Sequence, residues 1–335
     1  MLDRTRLEMG AHYAASYLAY ALDGAPHPFS AAFNVTDRCN LRCTYCNFQS
    51  FAGPELDLAG VAQLFDRLKT MGIRRLGLVG GEPLIRTDIG QVIGLARDRG
   101  FFISVSSNLT LFHRFPGVLQ QADLILTSLD GESEAHEANR GAGSSRGVID
   151  AIRALVATGK TVVGICVVRH GTLEDARRLL AQARTLGIRM HFQMQCLDAP
   201  ITRGTLPDGT TDAELRQFWR GLLRLKAAGE PVASSIGYLE TLAQWPDYRA
   251  SSVADPAAHC VAGRGFLFID PMGNAFPCTF ARGQTTSVNL LNGDWQRDWD
   301  RSTPCSRCTV GPMLEFNLLF QHPVQTVINA VRSYG

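Results

Sequence analysis

The sequence predicts an α/β protein: a partial (β/α)6 barrel of the TIM type followed by a small C-terminal α+β unit. Three observations predict it. Strand-like and helix-like segments alternate from residue 31 to about residue 228. Six such units fall two short of the eight that close a TIM barrel. After residue 229 the alternation stops, and short strands, turns and cysteines take over.

The strand candidates are AAFNV (31–35), RLGLV (75–79), FISVS (102–106), LILTS (124–128), VVGICVV (162–168) and MHFQMQC (190–196). Most are almost unbroken apolar runs, as parallel strands covered on both faces require. Between them apolar residues recur at helical spacing. Leu58, Val61, Leu64, Phe65 and Leu68 form one stripe, Val148, Ile149, Ile152, Leu155 and Val156 a second, and Leu173, Ala176, Leu179, Leu180 and Ala183 a third. Gly72, Gly100, Gly159 and Gly187 stand where helix C-caps need positive φ. Thr211 and Glu214 form a capping-box pattern that opens a helix carrying Leu215, Phe218, Trp219 and Leu222. Right-handed crossovers curl such units so that the loops carrying chemistry collect at the C-terminal edge of the strands.

The division this suggests is an amphipathic helix over 1–29, the barrel over 30–228, a linker helix and loop over 229–258 (IGYLETLAQW, then PDYRASSVADPAA), and a cysteine-bearing unit over 259–335. In the last unit FLFIDPMGNAFPC reads as two short strands around a Pro-Met-Gly-Asn turn. The first residues mix acids and tyrosines with apolar residues, unlike a signal peptide. No run reaches the ~18 apolar residues of a membrane span. A cytoplasmic location is expected. Charge is balanced, 33 basic against 31 acidic residues, so no field for a polyanion exists and nucleic acid is not an expected partner.

Nine cysteines in a chain of 335 residues are too few for a disulfide-stapled secreted scaffold. Three of them, Cys39, Cys43 and Cys46, fall in the loop after the first strand as C-x3-C-x2-C. A closed structural zinc site takes four protein ligands. Three thiolates on an iron–sulfur cubane leave one iron open to another ligand, which favours a cluster over zinc here. Cys260, Cys278, Cys305 and Cys308 form a second set spaced C-x17-C-x26-C-x2-C, which suits a [4Fe–4S] cluster or a zinc equally. Cys166 and Cys196, in the fifth and sixth strands, read as small buried hydrophobes.

CNLRCTYC resembles the cluster loop of the radical S-adenosylmethionine (SAM) superfamily, including the aromatic Tyr45 before the third cysteine. Gly80-Gly81-Glu82-Pro83 is similar to that family's GGEP segment, with Glu82 offered to the SAM ammonium. Ser107-Asn108 resembles its Thr-Asn-Gly turn, with Leu109 standing where glycine is common. SLDG (128–131), His136 and Arg140 resemble a further pattern whose Ser128 and Arg140 counterparts reach the SAM ribose and carboxylate. The resemblance, over residues 30–200, implies a [4Fe–4S] cluster on Cys39, Cys43 and Cys46 whose open iron binds SAM. It further implies a 5′-deoxyadenosyl radical that abstracts hydrogen, and an external one-electron reductant such as flavodoxin or ferredoxin. CVAGRGFLFIDPMGNAFPC resembles the hairpin of SPASM and one-cluster Twitch domains, implying an auxiliary [4Fe–4S] cluster on the second set.

A cluster capped by four thiolates suits electron acceptance, so net oxidation of a small polar metabolite is expected, as in radical SAM dehydrogenases. Similar cores also epimerise, decarboxylate, form carbon–carbon bonds and modify ribosomal peptides. About 30 residues before the first strand are too few for a leader-peptide domain, which weighs against peptides. The competing class is a non-catalytic iron–sulfur or zinc module. Candidate substrate contacts are Arg169, His170, Gln193 and Gln195 at the mouths of strands five and six, with Glu240, Arg282 and Glu315.

Overall fold

The computed structural model describes residues 28–115, 117–169, 172–207, 209–254, 260–295 and 305–321. The helix expected over 1–29 lies almost wholly outside them, as does His170. The six strands appear where the periodicity places them, and the third is followed by 3-10 turns in place of an α-helix. β1 (Ser30–Asn34), β2 (Arg75–Val79), β3 (Phe102–Ser107), β4 (Leu124–Ser128), β5 (Val162–Val168) and β6 (Arg189–Met194) pair in sequential order, every pair parallel. Sequential parallel order is the singly wound arrangement of a barrel. Among the described residues the sheet ends at β6 without pairing back, so the barrel is partial.

α1 (Leu58–Thr70) buries Val61, Leu64, Phe65 and Leu68, the predicted stripe. α2 (Ile89–Asp98) follows β2, α3 (Ser133–Arg140) and α4 (Ser144–Ala157) follow β4, and α5 (Leu173–Leu186) follows β5. α6 (Asp212–Ala227) opens with the predicted Thr211–Glu214 capping box. α5 carries one that the sequence reading missed, Thr172 with Asp175. Alternate strand residues, among them Phe33, Leu78, Val105, Ile125, Cys166 and Phe192, pack under the helices in one continuous core. Cys166 is therefore a packing residue, as expected.

The C-terminal part is joined to the barrel more closely than the division at 259 implies. α7 (Ile236–Ala243) packs on α6, and a two-stranded ribbon links β7 (Ser252–Val253) to β11 (Arg307–Cys308). The predicted hairpin, β8 (Phe266–Ile269) and β9 (Asn274–Phe276), continues into β10 (Val288–Asn289) and extends the barrel sheet itself. β8 pairs with β1 in parallel, Ala32 opposite Phe268, giving nine strands in the order β10-β9-β8-β1-β2-β3-β4-β5-β6. α8 (Gly311–Gln321) packs on β6 and α7. Its Phe316 and Phe320 lie on Phe29, with ring centroids 5.7 and 5.3 Å away. These rings join Phe266, Phe268, Cys196, Cys260, Cys278 and Cys308 in a second apolar cluster. No helix among the described residues is long and apolar enough to cross a membrane.

Candidate active site

The loop after β1 is held by backbone contacts from all sides. Gly81 and Glu82 donate their N–H groups to Thr36 O at 2.8 Å and Arg38 O at 2.9 Å. Thr44 N donates to Asn139 O, and Asn47 N to Ile201 O, both at 2.9 Å. Gln49 Nε2 reaches the carbonyls of Cys39 and Leu41 at 3.0 and 2.6 Å. The result fixes Cys39, Cys43 and Cys46 along one wall of a cavity of about 520 Å³. Tyr45, Gly80, Gly81, Ser107, Asn108, Ser128 and Arg140 line the same cavity, together with Arg42, Ser106 and Arg203. Four motifs separated by as many as 100 residues thus meet in one place, at the C-terminal edge of the strands.

Glycine is required at 81: a Cβ there would stand 2.3 Å from Arg38 O and 2.7 Å from its carbonyl carbon. The two glycines let the β2 loop press against the segment leading into Cys39. Leu109 adopts φ 57°, the conformation the resembling turn gives to glycine. Its side chain is buried, and burial offsets the ~1 kcal/mol cost of a left-handed leucine. The departure at this position therefore leaves the turn intact.

Glu82 differs from its expected role. It is fully buried, off the cavity wall, and its carboxylate accepts from Leu84 N at 2.9 Å, Ser107 Oγ at 2.8 Å and Asn108 N at 2.6 Å. Burial raises its pKa and these three donors oppose the rise. Glu82 fixes the β3 turn, which in turn presents Asn108 Nδ2 to Cys39 Sγ at 3.9 Å. Pro83 opens a short 3-10 turn beneath it.

Asp130 is the site residue the sequence reading quoted only within SLDG. Its fully buried carboxylate accepts from Arg140 Nε at 2.7 Å, Arg140 Nη2 at 3.2 Å, Tyr45 Oη at 2.7 Å and Val167 N at 3.0 Å. Arg140 also stacks over the Tyr45 ring, 5.4 Å from its centroid, and points Nη1 at Cys43 Sγ, 3.9 Å away. Its charge is thus largely matched by Asp130. His136 accepts from Asp130 N at 3.3 Å through Nδ1, so it positions Asp130.

Burial holds His136 neutral, down to about 4, and does the same to His191 on β6. The native state therefore binds fewer protons than the unfolded chain between about pH 6.5 and 4. Stability is full above that window and falls as pH drops through it, by up to ~3 kcal/mol for each histidine. Urea midpoints measured at pH 7.5 and 5 should show the loss, with no further gain between pH 7.5 and 8.5.

Most candidate substrate contacts have other partners. Arg169 donates to Gln195 Oε1 (2.8 Å), Thr44 Oγ1 (3.1 Å), Asn139 Oδ1 (3.2 Å) and Thr205 O (3.2 Å), tying the cysteine loop to the mouths of β5 and β6. Gln195 is buried and donates to Arg203 O at 3.1 Å. Gln193 faces the start of α8, where a Cβ on Gly311 would lie 3.1 Å from its Oε1. Glu315, its pKa raised by burial, accepts from Ser235 N at 2.8 Å. Glu240 is exposed on α7, away from the cavity. Arg282 is buried in a bidentate pair with Asp37, at 2.5 and 2.8 Å, and lies over the Phe51 ring at 4.7 Å.

The donor sets fit iron–sulfur clusters. Among the described residues no three His, Cys, Asp or Glu side chains are grouped as about one metal ion. Three thiols spread along a roomy cavity instead suit a larger body with space beside it for a ligand. Burial pushes the Cys39 thiol up to about 11 and raises that of Cys43, so neither carries a thiolate there without a cation to replace the proton. In the second set burial pushes Cys278 to about 12 and Cys305 to about 11, and raises Cys260 and Cys308. The charge of Cys260 adds to the rise at Cys278, Cys305 and Cys308, so each of these three lies within electrostatic reach of Cys260.

Comparison with known proteins agrees with this geometry. Residues 33–183 match the family model of the Radical SAM superfamily. A probable GTP 3′,8-cyclase of Archaeoglobus fulgidus is 30% identical over 146 residues, 42% of this chain and 49% of that protein, so the chain aligns with about half of that relative. A mycofactocin maturase of Mycobacterium ulcerans is 27% identical over 292 residues, 82% of this chain and 75% of that one. Among solved structures, Streptococcus suis SuiB bound to S-adenosylmethionine superimposes with a TM-score of 0.68 over 91% of this chain and 73% of that one, at 15% identity. SuiB bound to its precursor peptide SuiA gives 0.65, at 13% identity, over 90% and 71%. At such identity these two establish the fold alone. With the cysteine loop, the glycine approach and the Asp130–Arg140 pair meeting on a six-stranded partial barrel, the family match identifies residues 33–183 as a radical SAM domain, of the superfamily whose enzymes use a [4Fe–4S] cluster and SAM.

Proposed function

We propose that this radical SAM enzyme removes hydrogen from a small polar metabolite and completes a net oxidation. The observation that carries the reading is that one cavity is lined by three thiols and by Tyr45, Gly80, Gly81, Ser107, Asn108, Ser128 and Arg140 of the SAM-like motifs. When bound, SAM and a pair of clusters supply a 5′-deoxyadenosyl radical and an acceptor for the electron that oxidation releases. Cys39, Cys43 and Cys46 would hold the first cluster, and Cys260, Cys278, Cys305 and Cys308 an auxiliary one. Asn108 and Arg140 donate toward the first set of sulfurs. Ser128 lines the cavity and would meet the SAM ribose. Cys39 and Cys46 are half-buried and Tyr45 is buried, which limits water at the reacting end of the cavity. An electron enters from a small external reductant of the flavodoxin or ferredoxin type.

A second reading, maturation of a peptide, is favoured by one observation: the likeness to a mycofactocin maturase runs along 82% of the chain, against 42% for the cyclase. Both readings share the same first step. Anaerobically reconstituted wild-type protein should yield 5′-deoxyadenosine from SAM under reduction, and the Cys39→Ala/Cys43→Ala/Cys46→Ala variant should yield none. Cys305→Ser should keep SAM cleavage while losing roughly half the bound iron. Unchanged iron in that variant would contradict the auxiliary site. Incubation with pooled small metabolites, and separately with peptide pools, separates the two substrate readings by which pool raises 5′-deoxyadenosine output.

A further inference from the structure

Two guanidinium groups grip the corner of the cysteine loop between Cys43 and Tyr45. Arg203 Nη2 donates to Cys43 O at 2.9 Å and to Arg42 O at 3.4 Å, and Arg203 lines the cavity. Arg169 Nη1 donates to Thr44 Oγ1 at 3.1 Å from the other side. Every hydrogen-bond acceptor of these two guanidinium groups is neutral. Among the described residues neither has a carboxylate within ion-pair distance, whereas Arg140 is matched by Asp130. The nearby Glu82 carboxylate, which bears on Cys39, is likewise unmatched by an ion-pair partner among the described residues. Arg203 and Arg169 therefore place two positive charges, unmatched by a carboxylate, against the Cys43 carbonyl and the Thr44 hydroxyl of the cysteine loop.

Resting on the reading that Cys39, Cys43 and Cys46 hold a cluster, we propose that Arg203, with Arg169, sets the reduction potential of that centre. Reduction moves one electron from an external low-potential donor onto the centre and transfers no proton, so the centre gains one negative charge. A fixed cation nearby stabilises the more negative state and raises the potential, as hydrogen bonds to the sulfurs also do. The arrangement makes the centre easier for that donor to reduce. Arg203 is exposed, so its influence is partly screened by salt.

The test is an EPR-monitored redox titration of reconstituted, SAM-free protein. In Arg203→Gln the midpoint should move to more negative values, so that at a fixed applied potential the oxidised-to-reduced ratio rises by roughly fivefold. Arg203→Lys, which keeps the charge and loses the two-carbonyl grip, should stay near wild type. Arg169→Gln should shift the midpoint in the same direction, and the shift in Arg203→Gln should shrink as salt is raised. Arg178→Gln, on the outer helix α5, serves as a control that leaves the midpoint unmoved. A midpoint in Arg203→Gln equal to wild type overturns the proposal. Equal shifts in the Lys and Gln variants also overturn it, because the role would then be to hold the loop. If no cluster forms, or the cluster ignores SAM, the functional reading itself has failed. A normal, SAM-responsive cluster with an unmoved midpoint refutes this inference alone.

Discussion

Gly81→Ala is expected to abolish SAM cleavage while leaving a folded protein. The added Cβ would lie 2.3 Å from Arg38 O, 2.7 Å from the Arg38 carbonyl carbon and 2.8 Å from Asp37 O, all backbone atoms that cannot rotate away. The clash is relieved only if the β2 loop and the segment before Cys39 separate. Overpacking of this kind costs ~1–3 kcal/mol, which a fold of this size survives. The cysteine wall does not, because Gly81 N and Glu82 N hold that same segment through Thr36 O and Arg38 O. Iron per chain and 5′-deoxyadenosine formation measure the effect. Gly94→Ala, on α2 with nothing within 4 Å of the new Cβ, is the matched control. It should retain full activity and gain ~1 kcal/mol from helix propensity.

Arg282→Met should cost ~3–5 kcal/mol of stability and cut SAM cleavage steeply. Asp37 and Arg282 are both buried, and removal of the guanidinium leaves a carboxylate in the interior with Asn34 Nδ2 as its remaining side-chain donor, at 2.6 Å. Asp37 stands two residues before Cys39, and Arg282 four after Cys278, so the pair fastens the second cysteine set to the first. The double variant Asp37→Asn/Arg282→Gln removes both charges and should recover much of the stability. It should not recover the full activity, since one amide pair cannot reproduce two parallel charge-assisted bonds. Urea unfolding and SAM cleavage on both variants check this. Equal stability of the single and double variants would show that the buried charge is not the cause.

What could be read from the sequence, and what could not, follows from how locally each feature is encoded. RLGLV, LILTS and VVGICVV become β2, β4 and β5 residue for residue, because parallel strands buried on both faces show as uninterrupted apolar runs. The cavity-facing motif residues were legible because each follows a strand, and β/α topology brings strand ends together. Pairing of β8 with β1 was not legible: both strands have apolar character, and nothing in either names the other across more than 200 residues. The hub role of Asp130 was missed for the same reason, since its partners Tyr45 and Val167 come from separate units. Arg169, Gln195, Arg282 and Glu315 drew attention as polar groups near the mouth. Their commitments are tertiary: Arg169 to Gln195, Arg282 to Asp37, and Glu315 to a backbone N–H. Leu109 marks the converse case, a departure from the expected glycine that packing absorbs.

The most direct measurement is the EPR spectrum of reduced, iron-loaded protein before and after SAM is added. On the proposed reading Cys39, Cys43 and Cys46 hold a cluster beside the open cavity, and SAM bound there should change the signal. That change should persist in Cys305→Ser and disappear with the cysteines at 39, 43 and 46. An iron-loaded wild-type protein whose spectrum is indifferent to SAM would contradict the account.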